Sequence, residues 1–406
     1  MHHRYVIIGG GLAAASAIEG IRAHDRDGSI LLISRENHRP YHRPPLTKDL
    51  WTGALDLERL PVHPDAFYEE QRVALQLRRD VVEVNAEHKV LWDDRGESSG
   101  YDQLMFATGC RPRRLHAQGS ELSSVRYFRD LEDYLDLESR LDRIQHITIV
   151  GGGFTAVEMS AALRGRNKEI TLVLPEEYPL RRMLPRDLGL GVLEYLRDLG
   201  VEVVSDETLV HIDEDGGFVH ARTQNGNDLT TQLVLVDQGG EPQSDLAEAA
   251  GLDIDDGIVV DEYGEGSRPA TWAAGDVAEF PYLALGQLMR VEGSDHAEQH
   301  GRLVGANMAC TVLAQPKQVY THLPLKWFRL GELQFEGVGE LNARLDTETL
   351  WIEPGREGVT LYLRDDIVRG VLLCNVHARL EWARALVRDA RVTTAAERAQ
   401  LVAQKV

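Results

Sequence analysis

Two glycine-rich turns carry the clearest chemical signal in this chain of 406 residues. The first, Gly9-Gly10-Gly11, follows the apolar residues 5–8 and precedes the alanine-rich residues 12–18. The second, Gly151-Gly152-Gly153, follows the apolar residues 147–150. A strand, a tight turn and a helix start form a pyrophosphate site, because the helix N-terminus offers unpaired N–H groups and partial positive charge. One copy also fits a purely structural turn, whereas two copies predict two dinucleotides.

The residues within each turn have separate tasks. Gly9 allows the sharp change of direction, Gly11 lets the backbone approach the phosphates, and Ala14 allows the helix to pack closely on the strand. Gly151 and Gly153 hold the corresponding places in the second turn. We therefore expect these five residues to lie against the two pyrophosphates.

An acidic residue after the second strand of each unit predicts a ribose contact. Glu36 and Glu176 stand about where a carboxylate meets the ribose hydroxyls, although Glu36 also fits a solvated loop and has Arg35 beside it. A carboxylate at Glu176 would repel a 2′-phosphate by a few kcal/mol at an effective dielectric of about 20, which favours NADH over NADPH. Arg181 and Arg182 weaken that preference.

Several other charged residues fit either a functional or a purely structural role. Arg111, Arg113 and Arg114 follow a Gly exit from a strand and fit either a cofactor contact or a solvated crossing between domains. Asp276, next to a Gly at a predicted helix start, fits either a ligand contact or a helix cap. Glu158 lies early in a predicted helix, where a carboxylate stabilises the positive end of the dipole.

The cysteines and a histidine pair give little support for metal or thiol chemistry. Cys110, Cys310 and Cys374 are far apart and show neither a Cys-x-x-Cys pair nor zinc spacing, so we expect ordinary reduced thiols. His296 and His300 have the i, i+4 spacing of a metal pair, but no Glu or Asp completes a known zinc signature. We expect no metal site.

The composition is that of a folded protein with a strong excess of acid. Hydrophobic residues make up 43%, and the formal net charge is −21. Nucleic acids and anionic membranes attract cationic surfaces, so neither is expected as the main partner. No apolar run approaches the roughly 20 residues needed to span a bilayer. Residues 1–4 lead directly into the first strand, and we expect no signal peptide and a cytoplasmic location.

The periodicity around the turns predicts an α/β fold with two Rossmann-like dinucleotide-binding domains and a C-terminal α+β domain. The first domain is discontinuous and covers residues 1–115 and 247–321; the second covers 116–246, and the α+β domain covers 322–406. Within them we expect these elements: helices at 12–24, 185–199, 292–308 and 375–387; strands at 29–33, 169–174, 201–205, 333–339, 347–352, 359–363 and 368–372; a small antiparallel sheet at 73–92; and a hairpin in the stretch that follows residue 205 and runs through 236.

Three further stretches give the chain a family resemblance. With residues 43–48 (RPPLTK), 107–113 (ATGCRPR) and 274–276 (AGD) in register with the glycine turns, the chain resembles FAD-dependent pyridine-nucleotide oxidoreductases of glutathione-reductase-like fold. Within that group it looks most like apoptosis-inducing factor and the oxygenase-coupled NADH-dependent ferredoxin or rubredoxin reductases. The RPPLTK stretch stands where disulfide reductases carry a cysteine pair, so disulfide chemistry lacks its nucleophile.

The resemblance implies a role for individual residues on each cofactor. FAD would bind in the first dinucleotide domain and NADH in the second. Residues implied to hold FAD are Gly9, Gly11, Ala14, Arg35 or Glu36, Arg43, Lys48, Arg113, Asp276, Glu292 and Trp327, the last against the isoalloxazine. Residues implied to hold NADH are Gly151, Gly153, Phe154, Glu158, Glu176, Arg182 and Gly239.

The catalytic residues implied by the resemblance are Lys48, Glu158 and Trp327. Lys48 and Glu158 would form an ion pair beside flavin N5, where an ammonium stabilises electron density arriving on the flavin and the carboxylate lowers the cost of burying it. An ordinary surface lysine is the alternative for Lys48.

The chain departs from the family pattern at several places. Arg35 stands where an acidic residue is usual, Gly293 replaces a flavin-contacting His of apoptosis-inducing factor, and Asp237-Gln238 replaces small apolar residues before Gly239. Lys326, Phe328 and Arg329 alter the surroundings of Trp327.

The activity implied is hydride transfer from NADH to FAD and electron delivery to an iron–sulfur or similar redox protein. One alternative is a slow NADH-responsive flavoprotein that acts through binding or redox-dependent homodimer formation. A second alternative is a reductase of a small molecule or quinone.

Overall fold

The computed structural model of the chain describes residues 1–403. The chain divides into two compact units. The first unit consists of residues 1–42, 57–111 and 241–325, and the second consists of 43–56, 112–240 and the described part of 326–406. The three domain ranges expected from the sequence stay a prediction.

The described chain contains α-helices, short 3₁₀ turns and strands. The strands are β1 His2–Ile8, β2 Ile30–Ser34, β3 Val73–Leu77, β4 Val81–Asn85, β5 Val90–Asp93, β6 Ser98–Phe106, β7 Cys110–Pro112, β8 Val125–Tyr127, β9 His146–Val150, β10 Glu169–Val173, β11 Glu202–Val204, β12 Leu209–Asp215, β13 Phe218–Thr223, β14 Asp228–Thr231, β15 Leu233–Val236, β16 Gly240–Pro242, β17 Ile258–Val259, β18 Thr271–Ala273, β19 Ala278–Tyr282, β20 Gln287–Arg290, β21 Leu325–Leu330, β22 Leu333–Gly339, β23 Asp346–Glu353, β24 Glu357–Arg364 and β25 Ile367–Cys374. The helices are α1 Leu12–His24, α2 Asp49–Thr52, α3 Asp65–Glu70, α4 Leu131–Leu141, α5 Phe154–Gly165, α6 Arg186–Asp198, α7 Asp245–Ala249, α8 Ser294–Val312, α9 Leu380–Asp389 and α10 Ala395–Ala403. None of the helices in residues 1–403 has both the length and the hydrophobicity to cross a membrane.

The first unit is built on a mixed sheet with the strand order β3-β2-β1-β6-β5-β4, and β18 also pairs with β6. Strands β1, β2, β6 and β18 run parallel. The apolar residues 5–8, 30–33 and 104–106 of the first three strands are buried, as expected for a sheet covered on both faces. The predicted strand–helix–strand unit is confirmed, with α1 at the predicted residues 12–24.

The expectation of a small antiparallel sheet at residues 73–92 is wrong in part. β4 and β5 do form an antiparallel hairpin, but β3 joins the edge of the main sheet and runs parallel to β2. An alternating pattern shows that a strand is half buried, but it does not show which strand will be its neighbour.

Helices α1 and α8 pack together at unusually small residues. A side chain at Gly301 or Gly305 of α8 would overlap the backbone of Ala13 or Ala17 of α1. The absence of side chains at these glycines lets the two backbones approach closely. This packing fixes α1, and therefore the first glycine turn, on the sheet.

The second unit repeats the nucleotide-binding plan with the parallel strand order β11-β10-β9-β15-β8. The predicted hairpin is an antiparallel three-stranded sheet, β12-β13-β14, whereas β15 joins the parallel sheet. The C-terminal residues add an antiparallel sheet with the order β21-β22-β25-β24-β23. The helix expected at 375–387 begins only at Leu380, because Asn375 and Ala378 have positive φ.

Candidate functional site

The first glycine turn has the backbone shape and the open space that a pyrophosphate needs. Gly9 has φ of +121°, and a Cβ on it would overlap the carbonyl oxygen of Ala107. Gly11 is the N-cap of α1, and nothing lies within 4 Å of where its Cβ would be. Ala14 is fully buried in the core below the turn. These residues fit a dinucleotide phosphate group.

The residues expected at the first ribose lie just beyond the end of β2. The Tyr41 hydroxyl donates to Oε2 of Glu36 at 2.6 Å, and Nη1 of the exposed Arg35 donates to Oε1 of Gln243 at 2.8 Å. Both candidates therefore already hold a partner inside the first unit. The geometry leaves the choice between Arg35 and Glu36 as a prediction.

Asp276 and Glu292 lie near a buried arginine that was not singled out from the sequence. Nη1 of Arg290 donates to Oε1 of Glu292 at 2.7 Å, to the backbone oxygen of Asp276 at 3.1 Å and to Sγ of Cys110 at 3.3 Å. The acidic side chain of Asp276 accepts from the backbone N–H of Gly293. In residues 1–403, Cys110, Asp276 and Glu292 are the one group of three or more side chains close enough to share a metal ion. The Arg290 guanidinium already supplies a cation there.

In the second unit, Lys48, Glu158 and Trp327 come together although they are far apart in sequence. Lys48 Nζ lies 3.1 Å from Oε1 of Glu158, and it lies 4.5 Å from the centre of the Trp327 ring. The Thr47 hydroxyl donates to the other Glu158 oxygen, Oε2. The lysine and glutamate side chains are only 18% and 10% exposed, whereas Trp327 is 42% exposed. An ion pair of this burial beside an exposed ring is suited to a planar ligand that develops negative charge.

Local structure fixes the position of Lys48. Pro44 and Pro45 open a 3₁₀ turn that ends at Thr47, and Lys48 links that turn to α2. The indole N–H of Trp51 in α2 donates to the carbonyl oxygen of Leu46 at 2.7 Å, which ties the helix back to the turn. Lys48 is thus held by backbone on both sides.

Strand alternation fixes the position of Trp327. In β21, Trp327 is exposed while its neighbour Phe328 is buried, as the two faces of a strand require. The Phe328 ring stacks on Phe335 at 4.3 Å and meets the edge of Phe154 at 4.9 Å. Phe154 directly follows the second glycine turn, so these aromatic contacts join β21 to the start of α5.

The second glycine turn has the same backbone shape as the first. Gly151 has φ of +139°, and a Cβ on it would overlap the carbonyl oxygen of Asp237. A carboxylate oxygen of Glu176 lies 3.0 Å from the place of a Gly152 Cβ, which puts Glu176 beside the turn as expected for a ribose contact. Arg182 is 95% exposed, and its Nε lies 4.0 Å from Glu176.

The remaining predicted residues of the second unit make backbone contacts. Gly239 has φ of +83°, and its carbonyl oxygen accepts from the N–H of Arg113 at 2.9 Å. The Arg113 side chain donates to the carbonyl oxygen of Gly240, and that of Arg43 donates to the carbonyl oxygen of Arg129. Any contact of Arg43 or Arg113 with a cofactor remains a prediction.

The histidine pair of α8 lies in a buried aromatic cluster. His296 stacks on Phe280 at 4.8 Å, and its Nδ1 lies 2.9 Å from the Tyr320 hydroxyl. His300 is fully buried between the same two rings. Burial, together with the neighbouring His296, holds the pKa of His300 well below its usual value. His300 is therefore a neutral core residue at neutral pH.

Sequence reasoning missed Thr47 and Arg290 and gave Asp237 no role. Thr47 precedes Lys48 in the RPPLTK stretch, so its place at the pair could have been inferred from adjacency. Arg290 is the last residue of β20 and Glu292 lies beyond that strand, so no spacing pattern in the sequence indicated Arg290. Asp237 was noted only as a departure from the family pattern.

Two dinucleotide-type turns, each between a parallel strand and a helix, are typical of an oxidoreductase that binds two dinucleotides. Comparison with known proteins agrees: the profile of the pyridine nucleotide-disulphide oxidoreductase family matches residues 3–301. The chain belongs to this family and is an FAD-dependent NAD(P)H oxidoreductase.

Relatives of known name lie within the same family. Apoptosis-inducing factor 1 of Dictyostelium discoideum is 30% identical, over 96% of this chain and 79% of its own length. The rubredoxin-NAD(+) reductase of Pseudomonas putida is 29% identical, over 88% of this chain and 91% of its own length. The solved structure of a ferredoxin reductase from Rhodopseudomonas palustris superposes with a TM-score of 0.90 at 26% identity, covering 99% of this chain and 100% of that one.

Proposed function

We propose that this protein accepts a hydride from NADH and passes electrons to a small iron–sulfur redox protein of the ferredoxin or rubredoxin type. The observation that carries the proposal is the buried Lys48–Glu158 ion pair beside the exposed Trp327 ring. The likeness to the rubredoxin-NAD(+) reductase and to the ferredoxin reductase supports the choice of acceptor.

The first unit supplies the residues proposed to hold FAD. The N-terminus of α1 and the open space at Gly11 would receive the pyrophosphate. Asp276 and Glu292 would face the remainder of the cofactor, and Arg290 keeps both acidic residues in place. Bound FAD supplies the redox chemistry, taking a hydride at flavin N5 and giving up electrons singly.

The second unit supplies the groups proposed to assist the transfer. Glu158 uses one oxygen for Lys48 and the other for Thr47, so the lysine ammonium is held at a fixed place. A fixed positive charge stabilises negative charge that develops close to it without waiting for solvent to reorganise. The Trp327 ring gives an apolar surface against which a planar ring can lie.

We propose that Glu176 causes a preference for NADH over NADPH. Replacing Glu176 by Ala should raise the Kd for NADH about tenfold, because the acceptor for the ribose hydroxyls is lost. The difference in Kd between NADH and NADPH should become smaller, because the repulsion of the 2′-phosphate is lost as well. Kd values for both coenzymes, measured by titration, test this. Glu177→Ala is the matched control, since Glu177 pairs with Arg186 at the surface. An unaltered Kd in Glu176→Ala would show that Glu176 does not contact the ribose.

The experiment that tests the proposed function is anaerobic rapid mixing of the flavin-loaded protein with NADH. Absorbance should fall quickly as the flavin is reduced, and a ferredoxin or rubredoxin added next should restore it quickly. A quinone or other small acceptor that works faster than every redoxin would contradict the proposed acceptor. No bleaching by NADH would contradict the hydride step itself.

The likeness to apoptosis-inducing factor 1 of Dictyostelium discoideum, 30% identity over 96% of this chain, favours a second candidate function, that of a slow NADH-responsive flavoprotein that acts through binding. That function predicts slow reoxidation by every acceptor together with a rise in mass in solution on adding NADH. Light scattering before and after reduction distinguishes it from the leading proposal.

A further inference from the structure

Each nucleotide-binding half of the chain has a residue at an equivalent position, directly after the strand that pairs with the strand leading into the glycine turn. In the first half, Ile8 of β1 pairs with Phe106 of β6, and residue 107 follows. In the second half, Val150 of β9 pairs with Val236 of β15, and residue 237 follows. In each half, a side chain on the first glycine of the turn would overlap the carbonyl oxygen of that following residue. Ala107 and Asp237 are therefore equivalent.

The side chains at the equivalent positions differ in charge. Ala107 has only an uncharged methyl group, and it lies in the same buried cluster as Ala13 and Ala14 of α1. Asp237 places a carboxylate at the start of α5: its Oδ2 accepts from the N–H of Ala156 at 2.9 Å. The same oxygen lies 3.1 Å from where a Cβ of Gly153 would stand. The anion-binding end of α5 thus holds an anion that belongs to the protein.

From this difference we propose that Asp237 competes with the coenzyme pyrophosphate and sets the affinity of the NADH site. The inference rests on the proposed function and adds a determinant of affinity to the same site. Unpaired N–H groups at a helix start are limited in number, and phosphate oxygens and the Asp237 carboxylate seek the same ones. Two anions held close together also repel each other, more so where water is excluded.

The competition has a defined kinetic consequence. Asp237 opposes every ligand that carries the pyrophosphate, so NADH, NAD+ and ADP-ribose should be weakened by the same factor. The nicotinamide ring is not involved in the competition, and Asp237 should raise KM for NADH with little effect on kcat. The wild-type protein would then be half-saturated only at a high concentration of coenzyme.

The test compares Asp237→Asn and Asp237→Ala with the wild type, all loaded with FAD. Calorimetric titration with NAD+ and with ADP-ribose should give Kd values about tenfold lower for both variants, equivalent to about 1.4 kcal/mol. Asn keeps the shape and the acceptor for the Ala156 N–H, so its effect isolates the charge. KM for NADH should fall by the same factor while kcat stays within about twofold.

Asp130→Asn is the matched control. Asp130 caps α4 in the same unit by accepting from the N–H of Asp133 at 3.1 Å, so the chemical change is identical but lies at a different helix. Its Kd values should match those of the wild type. Flavin absorbance and Tm report on the folding of each variant.

Two results would overturn the inference: an unchanged Kd in Asp237→Asn with Tm preserved, or weaker binding in both Asp237 variants. The proposed function fails by a different result. A wild-type protein that binds ADP-ribose but is not reduced by NADH would remove the hydride step and leave the competition at α5 intact.

Discussion

At the scale of single residues, the arrangement around Lys48 depends on Glu158. A lysine that is 18% exposed lacks much of its hydration, and the carboxylate at 3.1 Å replaces it. Family resemblance predicted this pair, and the two side chains do meet. Thr47 completes the arrangement, yet nothing in its residue type distinguishes it from any other threonine beside a 3₁₀ turn. A residue that acts by orienting its neighbour is not marked by any motif in a single sequence.

Removing the ammonium is expected to slow flavin reduction without releasing the cofactor. We predict that Lys48→Ala lowers the rate of reduction by NADH about 10- to 100-fold, because a preorganised charge is lost where negative charge develops. Rapid mixing at saturating NADH measures the rate, and flavin absorbance after gel filtration measures retention. The control is Lys89→Ala at an exposed lysine. Equal rates for Lys48→Ala and the wild type would remove Lys48 from the mechanism.

His300 gives a prediction about pH. Its lowered pKa in the folded chain means that the unfolded chain takes up a proton first as the pH falls below about 6.5. The contribution of this residue to the free energy of unfolding is therefore fully present above that pH. Below it, the contribution decreases by about 1.4 kcal/mol per pH unit. Urea unfolding at pH 7.5 and 5.5 should show that loss in the wild type, and a smaller loss in His300→Gln.

The matched control for this titration is His220→Gln, a change at an exposed histidine of β13. It should leave the pH dependence of the wild type unchanged. If His300→Gln and the wild type lose the same free energy between the two pH values, the buried histidine is not the cause.

At the scale of elements, the sequence predicted the bounds of helices and strands that depend on local pattern. It failed for features that depend on a neighbour distant in sequence, such as the pairing of a strand. The bounds of α1 and β22 agree with expectation, because periodic apolar residues end at clear turn residues. β3 was placed in the wrong sheet, since its partner β2 lies about forty residues earlier. Arg290 was missed because its partners Cys110 and Asp276 come from separate stretches of the chain.

The close packing of α1 on α8 predicts a sharp asymmetry between two helix glycines. Gly301→Ala should lower the free energy of unfolding by about 2–3 kcal/mol and weaken FAD retention, because the new methyl group meets the backbone of Ala13. Gly191→Ala in α6 should instead raise it by up to about 1 kcal/mol, since nothing lies within 4 Å and Ala favours the helix. Urea titration of both variants measures the contrast. Equal changes in the free energy of unfolding for the two variants would show that α1 and α8 can move apart without cost.

At the scale of the whole molecule, the excess of acid governs how partners approach. A formal net charge of −21 repels an acidic redox protein over distances comparable with the Debye length, about 10 Å at 0.1 M salt. The described arginines at positions 111, 166 and 302 are each paired with acidic side chains, which leaves less positive charge to offset the field. Long-range electrostatics therefore oppose encounter with an acidic partner.

The rate of electron delivery should consequently rise with ionic strength when the acceptor is an acidic ferredoxin. We predict a several-fold increase in the second-order rate constant between about 10 and 200 mM salt, since screening reduces the repulsion. Stopped-flow mixing of the reduced protein with the ferredoxin measures it, and a neutral quinone serves as the control. A rate that falls with salt would show that a local positive surface dominates encounter.

The path of the chain between its two units has a consequence for protein engineering. Residues 43–56 belong to the second unit, although the stretches that precede and follow them belong to the first. Grafting residues 112–240 from a relative, in order to change the coenzyme used, would import a new glutamate while the recipient's own Thr47 and Lys48 stayed behind. A hybrid that also takes residues 43–56 from the same donor needs four junctions rather than two, and this fourteen-residue segment must be matched to its donor before the graft is judged.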